Sequence, residues 1–168
     1  ASVFGSPFYA QALDKVMASY GAEPHYSQTL VQVRGEDRIA VFESVVDGQA
    51  VREEVAYDIL HVVPPQGAPD FIRQSPLADA SGWLEVDKHT LRHPRYPNVF
   101  GLGDCTSTPN SKTAAAIKSQ APVLVSNLLG ALRGAGYVES YDGYAACPLT
   151  TSRGKVLLAE FTYGGTIT

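Results

Sequence analysis

"VFGLGDCTSTPNSKTAAAIKSQAPVL", residues 99–124, decides the reading of this chain. An apolar run enters Gly101 and Gly103, stops at Asp104, crosses a polar turn and continues into alanines. Open α/β sheets hold ligands at the carboxyl ends of their strands, and the run delivers a carboxylate to such an end. Glycines there remove side chains that would keep a ligand off the backbone. Ser111 can cap a helix whose first free N–H groups are those of Lys112, Thr113 and Ala114. Such a terminus carries roughly half a positive charge and favours a partly negative oxygen. Ala114, Ala115 and Ala116 leave room for a flat ring. The alternative is that Asp104 only caps the loop and the alanines only promote helix. An interior proline costs ~3 kcal/mol, so the helix is expected to kink or restart at Pro122, before "VLVSNLLGALRG".

Upstream, Ser6 can cap a first helix, Pro7 suits its first position and Gly21 can close it. Phe8, Ala12, Leu13, Val16, Met17 and Tyr20 form its packing stripe. Strands are expected in 24–33, 38–46 and 50–65, separated by turns at Gly35–Asp37 and Asp47–Gly48. "DILHVVPP" (58–65) reads as a strand covered on both faces, as in a parallel sheet, with His61 hydrogen-bonded near its centre. Residues 66–98 form a Pro- and Gly-rich excursion in which Trp83 packs as an anchor. "GKVLLAEFTYGG" (154–165) contains a final strand. Helix, hairpins, buried strand, excursion, buried strand and helix together indicate an α/β protein.

The chain has 168 residues, 45% hydrophobic and 18% charged, with a formal charge of −4, which places it among globular proteins. No Lys/Arg stripe offers itself to phosphates, so nucleic acid is not an expected partner. No apolar run reaches the roughly 18–20 residues needed to span a bilayer, and the chain reads as soluble. Cys105 and Cys147 lack metal-type spacing and can be buried thiols, one bridge or halves of a redox pair. His89 and His93 are not accompanied by an HExxH glutamate, and no metal site is assigned.

"VFGLGDCTSTPNSKTAAA" is similar to the second FAD-binding motif of flavoproteins with two dinucleotide-binding domains, and most closely to that of sulfide:quinone oxidoreductases. The resemblance extends upstream through "YDILHVVPPQGAPDFIRQSPLADASGWLEVDKHTLRHPRYPNVF" and downstream through "AAIKSQAPVLVSNLLG" and "YDGYAACPLTTSRGKVLLAEFTY". It implies an incomplete Rossmann-like, three-layer α/β flavoprotein. Residues 1–98 would belong to the second dinucleotide domain with a β-hairpin insert, 99–135 to the strand and helix of the FAD domain, and 136–168 to a segment carrying the Cys-Pro motif. Asp104, after Gly103, would accept a hydrogen bond from the FAD ribityl chain. Lys112 and Thr113 would face the flavin pyrimidine edge, stabilising charge on the reduced ring. Cys147 would pair with a second cysteine beside the isoalloxazine. Sulfide would attack that disulfide, a thiolate would pass two electrons to flavin, and flavin would reduce quinone. Cys105 would be a packed thiol. The GD motif is shared with many disulfide reductases and type II NADH dehydrogenases. The rival in the same class is a type II NADH dehydrogenase or a flavocytochrome sulfide dehydrogenase flavoprotein, and direct hydride transfer from NADH gives a cysteine at 147 no task. A non-catalytic α/β binding module is the rival from another class.

No GxGxxG unit, partner cysteine or amphipathic C-terminal helix matches the family pattern, so the chain resembles a C-terminal part of the parent enzyme. The parent is expected to sit peripherally on the cytoplasmic side of a membrane, through segments outside these residues. Apolar surface left open beyond roughly 400 Å² promotes association. The isolated chain is therefore expected to bind FAD weakly or not at all, to lack turnover and to self-associate. A yellow preparation with stoichiometric flavin absorbance would overturn this expectation.

Overall fold

A computed structural model describes residues 2–168, which divide into two compact units meeting at Pro64 and Pro65. In the first unit, helix α1 (Pro7–Ser19) begins where Pro7 fixes φ at the first position, and Ser6 stands at the N-cap without a side-chain capping bond. Gly21 closes the far end at φ 65, with the Ala22 N–H donating to the Met17 carbonyl. Tyr9 and Ala10 are the buried residues of α1, while Phe8 and Tyr20 at the margins of the expected stripe are exposed.

Strands β1 (Thr29–Arg34), β2 (Ile39–Val46) and β3 (Gln49–Ala56) form an antiparallel sheet in the order β1-β2-β3. Asp47 and Gly48 both lie at positive φ, the backbone that a two-residue hairpin requires. Alternation sorts the faces. Arg34 pairs with Glu54 and Arg52 with Glu43 on one side, while Val33, Ala40, Phe42 and Val55 share the other.

The expected buried strand at 58–65 is not formed. Ile59 is 91% exposed, Val63 79% exposed and His61 exposed, on backbone without regular structure. An apolar run becomes a strand only where another strand satisfies its N–H and C=O groups, and no described residue forms a ladder with this one.

The second unit packs loops around helix α3 (Ala114–Leu132), after the single turn α2 (Asp70–Arg73). It also holds the antiparallel hairpin β4 (Ala145–Ser152) and β5 (Lys155–Phe161). The β5 strand was legible; β4, which carries Cys147, was not. Pro148 breaks a strand pattern, yet it is tolerated because β4 pairs on one side only, in a two-stranded sheet. Residues 99–104 form no ladder either. Phe100 makes one bridge with Arg92, and beyond the turn Thr106 makes one parallel bridge with Leu84. All the extended sheets described are antiparallel, and the chain is a small α/β protein. Pro122 does not interrupt α3: the helix runs through it as one element, with the ring on an exposed position where the carbonyl it leaves unbonded can meet water.

Two buried amides on α3 organise this unit. The Asn127 Nδ2 group donates to the carbonyls of Thr90 (3.1 Å) and Glu139 (2.9 Å), and its Oδ1 accepts from the N–H groups of Val138 and Glu139. The side chain is 2% exposed and uses its full hydrogen-bonding capacity. Truncating it strands several backbone groups, so Asn127→Ala is expected to destabilise the chain by about 2–3 kcal/mol, read as a lower urea midpoint at unchanged slope.

Candidate functional site

The turn after Gly103 is built from internal hydrogen bonds. The Gly103 N–H donates to Gln120 Oε1 of α3 at 2.7 Å, and its carbonyl accepts from the Thr106 hydroxyl at 2.8 Å. Gln120 and Thr106 are buried, and Thr106 also shares a hydrogen bond with Thr108. Gly103 sits at φ 78 with a Cβ position 3.2 Å from Ile117, and a Cβ on Gly101 would lie 2.3 Å from Leu84. Both glycines are thus required by close packing against neighbouring side chains. Asp104 follows at the surface of the turn, where with Gln66, Gly67, Pro69, Trp83 and Cys105 it lines a cleft of about 350 Å³.

Lys112 approaches the same region. Its ammonium lies 4.1 Å from the centroid of the Trp83 ring and donates to the Thr106 carbonyl. Burial pushes its pKa below the usual 10.5, opposed by the nearby acids Asp104 and Asp79 and by Cys105. The α3 cap is Thr113, two residues later than the Ser111 expected from sequence. Its Oγ1 accepts the Ala116 N–H at 3.2 Å, and its carbonyl accepts that of Ile117. Thr113 wins because it stands directly before the helical residues, in extended conformation, while the chain at 111–112 is still irregular. The N–H groups of Ala114 and Ala115 have no acceptor within the helix.

Cys147 lies against that terminus. It lines a largely apolar cleft of about 460 Å³ with Thr113, Ala114, Ala115, Ala146, Pro148 and Leu158. Burial pushes its thiol above the usual 9.0, and no cation acts against that shift. The structure therefore places Cys147 with Thr113 in one cleft and Asp104 with Cys105 in another, with Lys112 over the Trp83 ring that lines the second. The two cysteines are unbridged.

The hairpin bearing Cys147 is held from below by aromatic residues. The Tyr141 hydroxyl, its pKa pushed up to about 12 by burial, donates to the Tyr144 carbonyl at 2.6 Å. The Tyr163 hydroxyl donates to the Lys88 carbonyl, and its ring occupies the space where a Cβ on Gly143 would stand. Sequence reading missed Gln120, because a polar residue on an alanine-rich helix ordinarily signals its solvent face. It named Trp83 only as an anchor. Two of the histidines are structural: His93, buried, accepts the N–H groups of Arg95 and Tyr96 at Nδ1 and faces the Leu77 carbonyl through Nε2. His89 Nδ1 lies 3.1 Å from the Tyr141 carbonyl.

No helix among the described residues is long and apolar enough to cross a membrane. No protein-family model matches the chain. Individual proteins do. It is 43% identical over 162 residues to the mitochondrial sulfide:quinone oxidoreductase of Mus musculus, covering 96% of this chain and 36% of that protein. It is 47% identical over 165 residues to the one from Dictyostelium discoideum, covering 98% of this chain and 36% of that protein. For the Schizosaccharomyces pombe protein of the same name the identity is 47% over 139 residues, 83% of this chain and 30% of that one. A chain in the cryo-EM structure of the Tetrahymena thermophila mitochondrial ATP synthase superposes with a TM-score of 0.82 at 27% identity, over 96% of this chain and 38% of its own. The 168 residues thus span about a third of the length of the curated relatives they match. By sequence, the chain belongs to the sulfide:quinone oxidoreductase family.

Proposed function

We propose that these residues form part of an FAD-dependent enzyme that oxidises sulfide at a cysteine disulfide and passes the electrons through flavin to quinone. The observation that carries the reading is the cleft shared by Cys147 and the opening residues of α3. The residues present fit a flavin. Two alanines keep the helix mouth clear of side chains, its free N–H groups favour an anionic oxygen, and Asp104 lies at the rim of a neighbouring cleft with a cation close by. Asp104, following Gly103, would hold the ribityl chain, and Lys112 and Thr113 would face the pyrimidine edge. Bound flavin supplies a carrier that accepts two electrons from sulfur and delivers them to quinone.

Cys147 does its part through its sulfur. Attack of sulfide on a disulfide forms one S–S bond and breaks another, releasing one cysteine as a thiolate. Cys105 lines the other cleft, which leaves the disulfide partner to come from outside these residues. Burial favours the neutral thiol, so at neutral pH Cys147 holds its proton until a positive charge or the disulfide itself removes the penalty.

We also infer that in the full-length protein the segments 58–65 and 99–104 join a Rossmann-like three-layer assembly. Residues 1–98 would belong to the second dinucleotide domain, 99–135 to the FAD domain and 136–168 to the Cys-Pro segment. A quinone substrate is lipid-soluble, which favours peripheral attachment to a membrane.

Cys147→Ser in the full-length protein is expected to abolish bleaching of the flavin by sulfide under anaerobic conditions; unchanged bleaching would remove Cys147 from the mechanism. In the 168-residue chain with Cys105→Ser, alkylation of Cys147 by iodoacetamide should accelerate with pH and reach half its maximum above pH 9, because the folded thiol ionises later than an ordinary one. A midpoint well below that value would place an activating positive field at the sulfur.

A further inference from the structure

A lysine before a helix ordinarily samples solvent on a flexible four-carbon stem. Lys112 does not. Its ammonium stands 4.1 Å from the Trp83 ring centroid and spends one donor on the Thr106 carbonyl at 2.6 Å, leaving two of its three N–H groups. The residue that carries the indole is itself anchored. The Trp83 main-chain N–H donates to Asp79 Oδ1 and its carbonyl accepts the Asp79 N–H, while the next residue, Leu84, donates to the Cys105 carbonyl and accepts the Ser107 N–H. The platform therefore moves with the turn that carries Asp104, and it lines the same cleft. The titratable groups acting on the ammonium are Asp104, Cys105 and Asp79. An aromatic face attracts a cation without neutralising it, as a carboxylate would.

We propose that Trp83 is a positioning residue whose indole face holds the Lys112 ammonium beside the Asp104 cleft, with donors left over for an anionic oxygen of a planar ligand. This rests on the reading that the cleft region receives flavin. A cation so held lowers the energy of negative charge on the ligand without having to be ordered when that charge develops. Leucine at 83 would fill space but carry no quadrupole; phenylalanine would keep a weaker face.

The contact is tested without any cofactor. In the 168-residue chain the Lys112 Hε protons, lying over the indole, should resonate upfield of ordinary lysine values. Trp83→Leu should remove the displacement and Trp83→Phe should retain part of it. Lys88, whose Nζ lies 5.2 Å from the Tyr163 ring centroid, should keep its own shift in each variant and report that the fold is intact. Ordinary Lys112 shifts in the wild-type chain would overturn the proposal. In the full-length protein, Trp83→Leu should move the flavin potential to a more negative value, with Trp83→Phe between it and wild type. An unchanged potential in a variant that has lost the Lys112 shift would overturn the positioning role. A wild-type full-length protein that takes up no flavin would overturn the cofactor reading, and this role with it, while the contact stayed visible in the Lys112 spectrum.

Discussion

The carboxamide of Gln120 accepts the Gly103 amide at 2.7 Å in a place closed to water, and the second unit depends on that bond. A buried acceptor left unmatched costs ~1–3 kcal/mol, so α3 and the glycine turn must be placed together or not at all. Ile117 sharpens the constraint, because its side chain occupies the space beside Gly103 that any other residue would need. Two turns further along α3, Asn127 ties the segments at residues 90 and 138–139 to the same helix face. The helix acts as a spine whose buried amides, more than its apolar side chains, fix the register of the loops around it.

This arrangement gives the site its geometry. The GLGD turn is anchored at Gly103 and free at Asp104, so the carboxylate is presented at the surface from a rigid support. The α3 terminus is capped by Thr113 but opens through Ala114 and Ala115 onto the cleft that contains Cys147. The sulfur is brought there by a hairpin seated on Tyr141 and Tyr163, whose hydroxyls are spent on backbone carbonyls. A thiol, a helix mouth, a carboxylate and an aromatic-held lysine therefore border two neighbouring surfaces of one small unit. The positive charge stands on the Asp104 side and the thiol on the other, so the electrostatic help available to a ligand and that available to sulfur are separated.

The apolar character of α3 is not confined to its buried face. Val125, Leu129 and Leu132 are exposed and follow helical spacing on the side away from Gln120 and Asn127. An apolar row on the outer side of a helix is ordinarily covered by another element of a larger body. The exposed run at 59–63 has the same character. These features agree with a chain that spans about a third of its relatives' length.

Local chemistry made much of the molecule legible. Pro7 and Gly21 bracket α1, Asp47–Gly48 sets the hairpin between β2 and β3, and the residues around GLGD and Cys-Pro point to the sulfide:quinone oxidoreductases, because these signals act within a few residues. Strand formation at 58–65 and 99–104 was not decided locally, since an apolar run becomes a strand only when another strand meets its backbone. Pro148 hid β4 for the converse reason: a missing N–H matters only if a neighbour on that side needs it. Gln120 and Asn127 are polar types that ordinarily face solvent, and only the loops that they hydrogen-bond bury them. The sequence by itself determined which residue types reach the turn and the helix mouth; tertiary structure alone decided that Cys147 meets Thr113 and Lys112 meets Trp83, because those contacts join segments distant along the chain whose approach is set by buried hydrogen bonds.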